Sequence, residues 1–156
     1  MGSIEIKDNF FEKDLINFLD DYFLNLPHYY GHSSTGNSEK FYTHHFNVDN
    51  PLINFLCTKI NKNKKILRVY INIQHNNMNG EFHTDDGDTT YLVMISNTLE
   101  KGSGQFQLIN ENNETQSIEF VQNRMISFPS NLKHRGLAPL EKNTPRITLA
   151  FKTVKK

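Results

Sequence analysis

A histidine and an aspartate two residues apart, His83 and Asp85, form the pair best suited to bind a metal ion. On a β-strand both side chains would point to the same side, because residues two apart share a face. His134 follows 49 residues after Asp85 and could supply a second imidazole. Two histidines and one carboxylate suit iron(II) and leave three octahedral positions for other ligands. The alternative is a solvated turn, because residues 85–88 read Asp-Asp-Gly-Asp.

Arg146 stands at the head of the apolar run 146–151, 12 residues after His134. A positive charge at the start of a buried strand needs an anionic partner, since an unpaired buried charge is costly. A guanidinium binds a carboxylate through two parallel hydrogen bonds, and Thr148, on the same face, could add a hydroxyl. The sequence therefore predicts a carboxylate-binding pair. The alternative is an edge arginine that pairs with a surface acid.

Two helices precede the residues that could do chemistry. Apolar residues recur at helical spacing over residues 12–24. A second helix is predicted to start at Asn50, a good N-cap, with Pro51 in the first helical position. The segment between the helices, residues 28–47, is predicted to be a loop with a short strand near residues 41–46.

From residue 66 onward, short β-rich runs alternate with Gly, Asn, Asp and Pro. This pattern predicts a mainly β fold with N-terminal helices, whose core is a double-stranded β-helix of the jelly-roll or cupin kind. We expect one domain over residues 1–156, with a helical buttress and loop in residues 1–65 and the core in residues 66–154. The predicted strands are 66–74, 81–85, 89–96, 105–109, 116–121, 124–128, 132–137 and 146–154.

The composition narrows the classes of function. The 156 residues suit a single core, and the 17 basic and 17 acidic residues cancel. A zero net charge gives no electrostatic reason to expect a nucleic-acid or anionic-membrane partner. The single cysteine, Cys57, excludes an intramolecular disulfide and a cysteine-based zinc site. No apolar run is long enough for a membrane span, so we expect a soluble cytoplasmic protein.

The order His83-x-Asp85, distal His134 and downstream Arg146 resembles the iron(II)- and 2-oxoglutarate-dependent dioxygenase superfamily. The Gly-Ser-Gly-Gln-Phe segment is similar to the superfamily's glycine-rich turn into its fourth core strand. The segment Asn-Arg-Met-Ile-Ser-Phe-Pro resembles the strand that leads to the distal histidine. The closest likeness is to small, single-domain prolyl-4-hydroxylase-like members, and it covers about residues 66–151.

This resemblance implies a metal and a reaction. His83, Asp85 and His134 would bind iron(II). With O2 as oxidant, a C–H bond of a peptidyl or small-molecule substrate would be hydroxylated, while 2-oxoglutarate is converted to succinate and CO2. Related halogenases lack the carboxylate ligand, so Asp85 predicts hydroxylation rather than halogenation. Ascorbate is a further candidate cofactor.

The resemblance also implies which residues bind 2-oxoglutarate. Arg146 would hold its distal carboxylate, with Thr148 assisting. Tyr70, Asn72 and Gln74 alternate onto one face of the strand 66–74, and Asn72 and Tyr70 are favoured as further contacts. Tyr91 is expected to line the pocket. Ordinary strand polarity is the alternative for Tyr70, Asn72, Gln74 and Tyr91.

Two departures from the family pattern concern the end of the core. Many relatives place the basic residue closer to the distal histidine than the 12 residues that separate Arg146 from His134. Lys152 lies where base-repair dioxygenases of the AlkB type carry a second arginine, and this change counts against a nucleic-acid substrate.

Two other functions remain open for this pattern. A cupin-like module could bind a metal or a small molecule without turnover, and a degenerate relative could bind a partner. A plain binding cupin needs no buried carboxylate clamp, so Arg146 discriminates against the first, and the complete triad discriminates against the second. The segments 29–36 and 41–46 are expected to form part of a substrate rim.

Overall fold

The computed structural model of the protein describes residues 3–36 and 38–156. Two helices and ten strands lie in these residues. The helices are α1 (Lys13–Leu24) and α2 (Pro51–Cys57). The strands are β1 (Glu5–Lys7), β2 (Tyr29–Ser33), β3 (Lys40–Phe46), β4 (Lys64–Gln74), β5 (Thr89–Met94), β6 (Phe106–Ile109), β7 (Thr115–Ile118), β8 (Met125–Pro129), β9 (His134–Gly136) and β10 (Arg146–Lys155).

The strands form two antiparallel sheets. The large sheet has seven strands in the order β1-β8-β5-β10-β4-β3-β2, and the small sheet has three in the order β7-β6-β9. Strand β10 lies at the centre of the large sheet, between β5 and β4. This arrangement confirms the predicted fold class, a mainly β chain with N-terminal helices and a jelly-roll core.

The helices cover the outer face of the large sheet. In α1 the buried side chains of Ile16, Leu19 and Phe23 recur at helical spacing, which directs one apolar stripe toward the sheet. Helix α2 begins as predicted, because the Asn50 side chain accepts hydrogen bonds from the backbone N–H groups of residues 52 and 53 at 2.9 and 3.3 Å.

Alternation along β10 separates two environments. Ile147, Leu149 and Phe151 belong to the cluster packed under the helices. Ala150 belongs to a second apolar cluster that joins the inner face of the large sheet to the small sheet. Polar side chains of β4 and β10 on this inner face line a cavity between the two sheets.

The first 65 residues contribute more β-structure than the sequence predicts. Strands β1, β2 and β3 all join the large sheet, whereas only a short strand near β3 was expected. By contrast, the predicted strand 81–85 is reduced to an isolated bridge at His83. The assignment of the whole chain to one domain stays a prediction. No helix in the described ranges, 3–36 and 38–156, is long and apolar enough to cross a membrane.

Candidate metal and cosubstrate site

Backbone pairing brings the three predicted metal ligands together. His83 and His134 exchange both backbone hydrogen bonds, at 3.0 and 2.9 Å, and the Asp85 N–H donates to the Ser130 carbonyl at 2.8 Å. One ligand atom of each side chain lies within 4.8 Å of the other two. The His83 Nε2 atom is 3.7 Å from Asp85 Oδ1, and the His134 Nε2 atom is 3.1 Å from Asp85 Oδ2.

Hydrogen bonds set the tautomer of both histidines. The Nδ1 atoms of His83 and His134 each lie 2.8 Å from a backbone carbonyl oxygen, of Glu81 and Leu132 respectively. A carbonyl can only accept, so each Nδ1 must carry the proton. Burial lowers the pKa of both imidazoles to about 4, so both are neutral near pH 7 and each Nε2 presents a lone pair.

Three electron-pair donors therefore converge with no proton between them. The 3.1 Å contact between His134 Nε2 and Asp85 Oδ2 joins two acceptors, whose mutual repulsion a nearby cation relieves, either a metal ion or the Lys152 ammonium that contacts the same oxygen. Neutral imidazoles oriented by backbone carbonyls, together with a carboxylate, are a typical set of oriented metal ligands. The residues present thus fit a divalent metal ion.

Lys152 lies beside the triad. Its Nζ atom is in hydrogen-bond contact with Asp85 Oδ2 and lies 3.2 Å from Thr90 Oγ1. The Thr90 hydroxyl itself donates to Asp85 Oδ2 at 2.8 Å. Burial, assisted by the nearby positive charge of Arg68, lowers the pKa of Lys152 to about 7, whereas contact with the carboxylate favours the charged form.

Arg146 lies on the same strand face and is also buried. Its Nε atom donates to the Gly104 carbonyl at 2.8 Å, and Nη1 donates to Gln74 Oε1 at 2.6 Å. Nη2 is buried and has no partner among the described residues. No carboxylate of residues 3–36 or 38–156 lies within ion-pair distance of this guanidinium. Burial lowers its pKa to about 9, which leaves it charged near pH 7.

Strand β4 supplies the neighbours of Arg146. Gln74 Nε2 donates to the carbonyls of Met78 and Gly136, at 2.8 and 3.0 Å, which fixes its Oε1 against Arg146. Asn72 pairs across the sheet with Thr148, and its buried Oδ1 has no partner in the described part of the chain.

The triad, both cations, Asn72, Gln74 and Thr148 line one cavity of about 290 Å³. Strands β2 and β3 also contribute to its lining, through His32, Phe41 and His45. The imidazole centroids of His32 and His45 are 6.5 Å apart, and burial lowers the pKa of both. Both segments predicted to form a substrate rim thus contribute side chains to the cavity, and their role in binding a substrate stays a prediction.

No protein-family model and no curated protein matches this sequence. The fold, in contrast, matches solved structures. A prolyl-4-hydroxylase from Pseudomonas putida has a TM-score of 0.73 and 11% identity, with 98% of this chain and 92% of that chain covered. HygX from Streptomyces hygroscopicus, with nickel and 2-oxoglutarate bound, has a TM-score of 0.74 and 9% identity, with 95% and 81% covered.

A third similar structure is a Trichoplax adhaerens prolyl hydroxylase in complex with a peptide fragment of the oxygen degradation domain of hypoxia inducible factor. It has a TM-score of 0.72 and 14% identity, with 96% of this chain and 82% of that chain covered. The protein has the prolyl-4-hydroxylase-like fold of 2-oxoglutarate- and iron(II)-dependent oxygenases.

Within this oxygenase fold, the structure brings seven of the eight residues predicted from the sequence to one cavity. These are His83, Asp85, His134, Arg146, Thr148, Asn72 and Tyr70. Burial raises the pKa of Tyr70 to about 12, so its hydroxyl stays protonated and can donate a hydrogen bond.

Tyr91 is the exception, and the expectation that it lines the pocket is wrong. Tyr91 pairs with Phe151 and packs in the cluster under the helices, on the opposite side of the sheet from the cavity. The alternation of β5 places it on the side of Val93 and Ile95, and that side faces the helices.

One residue of this cavity, Lys152, is not predicted as a site residue from the sequence. It lies six residues after Arg146 on β10, so strand alternation places its side chain on the same inner face. Gln74, which alternates onto the face of Asn72 and Tyr70 but is not among the favoured contacts, lines the cavity as well.

Proposed function

We propose that the protein is an Fe(II)- and 2-oxoglutarate-dependent oxygenase that hydroxylates a C–H bond of a peptidyl or small-molecule substrate. One observation carries this proposal. The buried guanidinium of Arg146, with no acid beside it among the described residues, shares a cavity with a complete His-Asp-His triad. A metal site alone would not need this charge, whereas a cosubstrate that chelates the metal and ends in a carboxylate would.

His83, Asp85 and His134 would hold the iron through two Nε2 atoms and one carboxylate oxygen. Three protein ligands on one face leave room for a bidentate cosubstrate and O2. Bound iron(II) would supply the oxidising chemistry, with 2-oxoglutarate converted to succinate and CO2 as one oxygen atom enters the substrate. Ascorbate would be an accessory cofactor.

Arg146 would bind the distal carboxylate of 2-oxoglutarate through Nη2, the donor that has no partner among residues 3–36 and 38–156. Gln74 accepts a hydrogen bond from Nη1 of the same guanidinium and so fixes the orientation of Nη2. Thr148 and Asn72 would add hydrogen bonds from the adjacent positions of β10 and β4.

The volume of the cavity limits the size of the substrate group that can enter it. Its volume of about 290 Å³ lies at the lower end of the range for small-molecule sites, roughly 300–1,000 Å³. With the cosubstrate bound, the space left would admit one side chain or a small part of a larger molecule. The similar structures include one with a peptide and one with 2-oxoglutarate, and both a peptide and a small metabolite are compatible with this space.

The proposal is tested by anaerobic addition of iron(II) and 2-oxoglutarate. We expect a weak visible absorption band near roughly 500 nm, which develops only when both are present and is absent in His83→Ala. Admission of O2 should then release succinate. Binding without any succinate would point to a cupin-like binding module, and the absence of both band and binding would refute the metal site.

The expected compartment is the cytoplasm, which fractionation of the host cell would check.

A further inference from the structure

Lys152 is the buried charge for which the proposed chemistry has no role. Only 2% of the residue is exposed, and its Nζ atom contacts Asp85 Oδ2 and Thr90 Oγ1. Thr90 Oγ1 lies 2.8 Å from the same Oδ2 and 3.2 Å from Ser130 Oγ. The Oδ2 oxygen of the carboxylate is thus bound by a cation and a hydroxyl of the protein itself.

The other carboxylate oxygen, Oδ1, has different surroundings. Asp85 Oδ1 accepts no hydrogen bond from the residues that the structure describes, and it lies 3.7 Å from His83 Nε2. Lys152 and Thr90 therefore both bind Oδ2, which also lies 3.1 Å from His134 Nε2, whereas Oδ1 has no donor among the described residues and is available to a metal ion. Since the side chain of Asp85 is only 6% exposed, water cannot replace either partner fully.

A buried carboxylate needs a cation whether or not a metal ion is present. We infer that Lys152 is a resident counter-ion of Asp85, which keeps the ligand set assembled in the metal-free protein and opposes the binding of the metal. This inference rests on the proposed metal site. Lys152 would act through Asp85, as a positioning residue, and would not touch the reacting atoms.

The opposition follows from charge. Two cations that neutralise the same carboxylate repel each other, and the repulsion is strong in a buried site. Each therefore weakens the binding of the other, and the effect is reciprocal. Removal of the lysine charge should destabilise the metal-free protein and, at the same time, tighten metal binding. A residue with only a packing role would not produce this opposite pair of effects.

The test uses Mn(II) as the probe and the full chain without cosubstrate. Lys152→Gln retains a hydrogen-bond donor and removes the charge, Lys152→Met removes both, and Lys152→Arg retains the charge. Lys64→Met is the matched control, because the Lys64 ammonium donates to Thr89 Oγ1 at 3.0 Å on the same sheet and does not contact Asp85. Electron paramagnetic resonance gives the Mn(II) dissociation constant, and thermal unfolding gives the midpoint with and without Mn(II).

We expect Lys152→Gln to bind Mn(II) about tenfold more tightly than the wild type, an order of magnitude set by charge repulsion in a buried site. Its metal-free midpoint should fall, and the shift that Mn(II) produces should grow. Lys152→Arg and Lys64→Met should resemble the wild type. If Lys152→Met fails to fold without metal, refolding in Mn(II) should rescue it.

Two outcomes would overturn the inference in distinguishable ways. Unchanged or weaker Mn(II) binding in a folded Lys152→Gln, with normal binding in the wild type, would remove the counter-ion role and leave the proposed function intact. Failure of both the wild type and Lys152→Gln to bind Mn(II) would remove the metal site itself.

Discussion

The two ends of the inner face of β10 carry two buried cations in opposite situations. Lys152 and Arg146 are each only 2% exposed and line the same cavity. Lys152 has a carboxylate of the protein, Asp85, as its partner. Arg146 has two neutral partners, and no acid in the described ranges pairs with it. At the Lys152 end the protein itself provides the counter-ion. At the Arg146 end a bound ligand must provide it.

This difference predicts opposite effects on stability. Breaking a buried ion pair leaves an uncompensated charge and is strongly destabilising, whereas replacing an unpaired buried charge by an apolar side chain of similar size is often neutral or stabilising. The metal-free protein should therefore depend on the Lys152 end and tolerate changes at the Arg146 end. The five predictions below follow from this contrast.

The largest effect is expected for Asp85→Ala. It removes a metal ligand and leaves Lys152 buried without a counter-ion, so the free energy of unfolding should fall by about 3–5 kcal/mol. Urea unfolding of the metal-free protein measures this loss, and Mn(II) binding should disappear. Asp86→Ala is the control, since the exposed pair of Asp86 with Arg68 should contribute less than about 1 kcal/mol. Equal losses in the two variants would contradict the assignment.

Arg146→Met should separate ligand binding from stability. Removal of one partner of a buried charge pair costs about 2–5 kcal/mol, so the affinity of the Mn(II)-loaded protein for 2-oxoglutarate should fall by roughly 30-fold or more. The free energy of unfolding of the metal-free protein should not decrease by more than about 1 kcal/mol. Calorimetric titration and urea unfolding measure the two quantities.

Arg124→Met serves as the control for this substitution, because that guanidinium pairs with Asp8 at 2.7 Å outside the cavity. It should leave cosubstrate binding unchanged. A loss of stability in Arg146→Met as large as that in Asp85→Ala would mean that Arg146 has its counter-ion within the protein.

Gln74→Glu should give Arg146 a carboxylate partner within the protein, as Asp85 is for Lys152. The new carboxylate would lie where Gln74 Oε1 now accepts from Arg146 at 2.6 Å, and it would compete with the cosubstrate. Affinity for 2-oxoglutarate should fall about tenfold, about 1.4 kcal/mol, while Mn(II) affinity stays the same.

The chain offers a matched control for Gln74→Glu. Gln107 Oε1 accepts from Arg135 Nε at 2.8 Å outside the cavity, so Gln107→Glu makes a similar change away from the site. Weaker cosubstrate binding in both variants would show that the effect is not local to Arg146.

Lowering the pH should lower the free energy of unfolding, chiefly through the two histidines of the triad. The pKa values of His83 and His134 are lowered to about 4 in the folded protein, below the ordinary value of 6.5. Between pH 6.5 and 4 the unfolded chain therefore binds more protons, and stability falls as the pH falls through this window. The slope should approach about 1.4 kcal/mol per pH unit for each histidine.

Urea unfolding of the metal-free protein between pH 4.5 and pH 7.5, values roughly spanning that window, measures the slope. His32 and His45, whose pKa values are also lowered, add to this slope, and His134→Gln should remove the share of one histidine, about 1.4 kcal/mol per pH unit. The guanidinium of Arg146, with a pKa of about 9, stays charged throughout and should contribute nothing. A slope that His134→Gln leaves unchanged would place the titration elsewhere.

The smallest effect is expected for Asn72→Ala. Its unpartnered Oδ1 belongs to an amide that would form one hydrogen bond to the cosubstrate, worth about 0.5–1.5 kcal/mol. The affinity for 2-oxoglutarate should fall about two- to tenfold in the same calorimetric titration. Asn76→Ala, which removes exposed contacts to the carbonyls of residues 139 and 140, should have no effect on this affinity.

The sequence allowed the triad and Arg146 to be predicted because strand alternation and ligand chemistry act over short, regular spacings. The same rule could not decide which side of β5 faces the cavity, and Tyr91 was placed on the wrong one. Alternation along β10 places Lys152 on the strand face that it shares with Arg146, whereas the family pattern bears only on the residue type at this position.

The edge strands were harder to predict than the site. In β2 the first three residues are exposed, and the pairing with β3 is interrupted at Gly31, whose φ is +118°. This segment therefore lacks the alternation of buried and exposed residues that marks a half-buried strand. Around His83 only the pairing with His134 has β-bridge geometry, while Gly80 and Asp85 each donate a single backbone hydrogen bond to distant residues, and such long-range pairing leaves no local signal.

The most direct test compares two ligands of the Mn(II)-loaded protein. 2-Oxoglutarate and 2-oxopentanoate share the chelating 2-oxo acid, but the second has a methyl group in place of the distal carboxylate. The wild type should prefer 2-oxoglutarate by roughly 30-fold or more, and Arg146→Met should lose that preference. An equal preference in both proteins would mean that Arg146 does not bind the distal carboxylate, and would contradict the account.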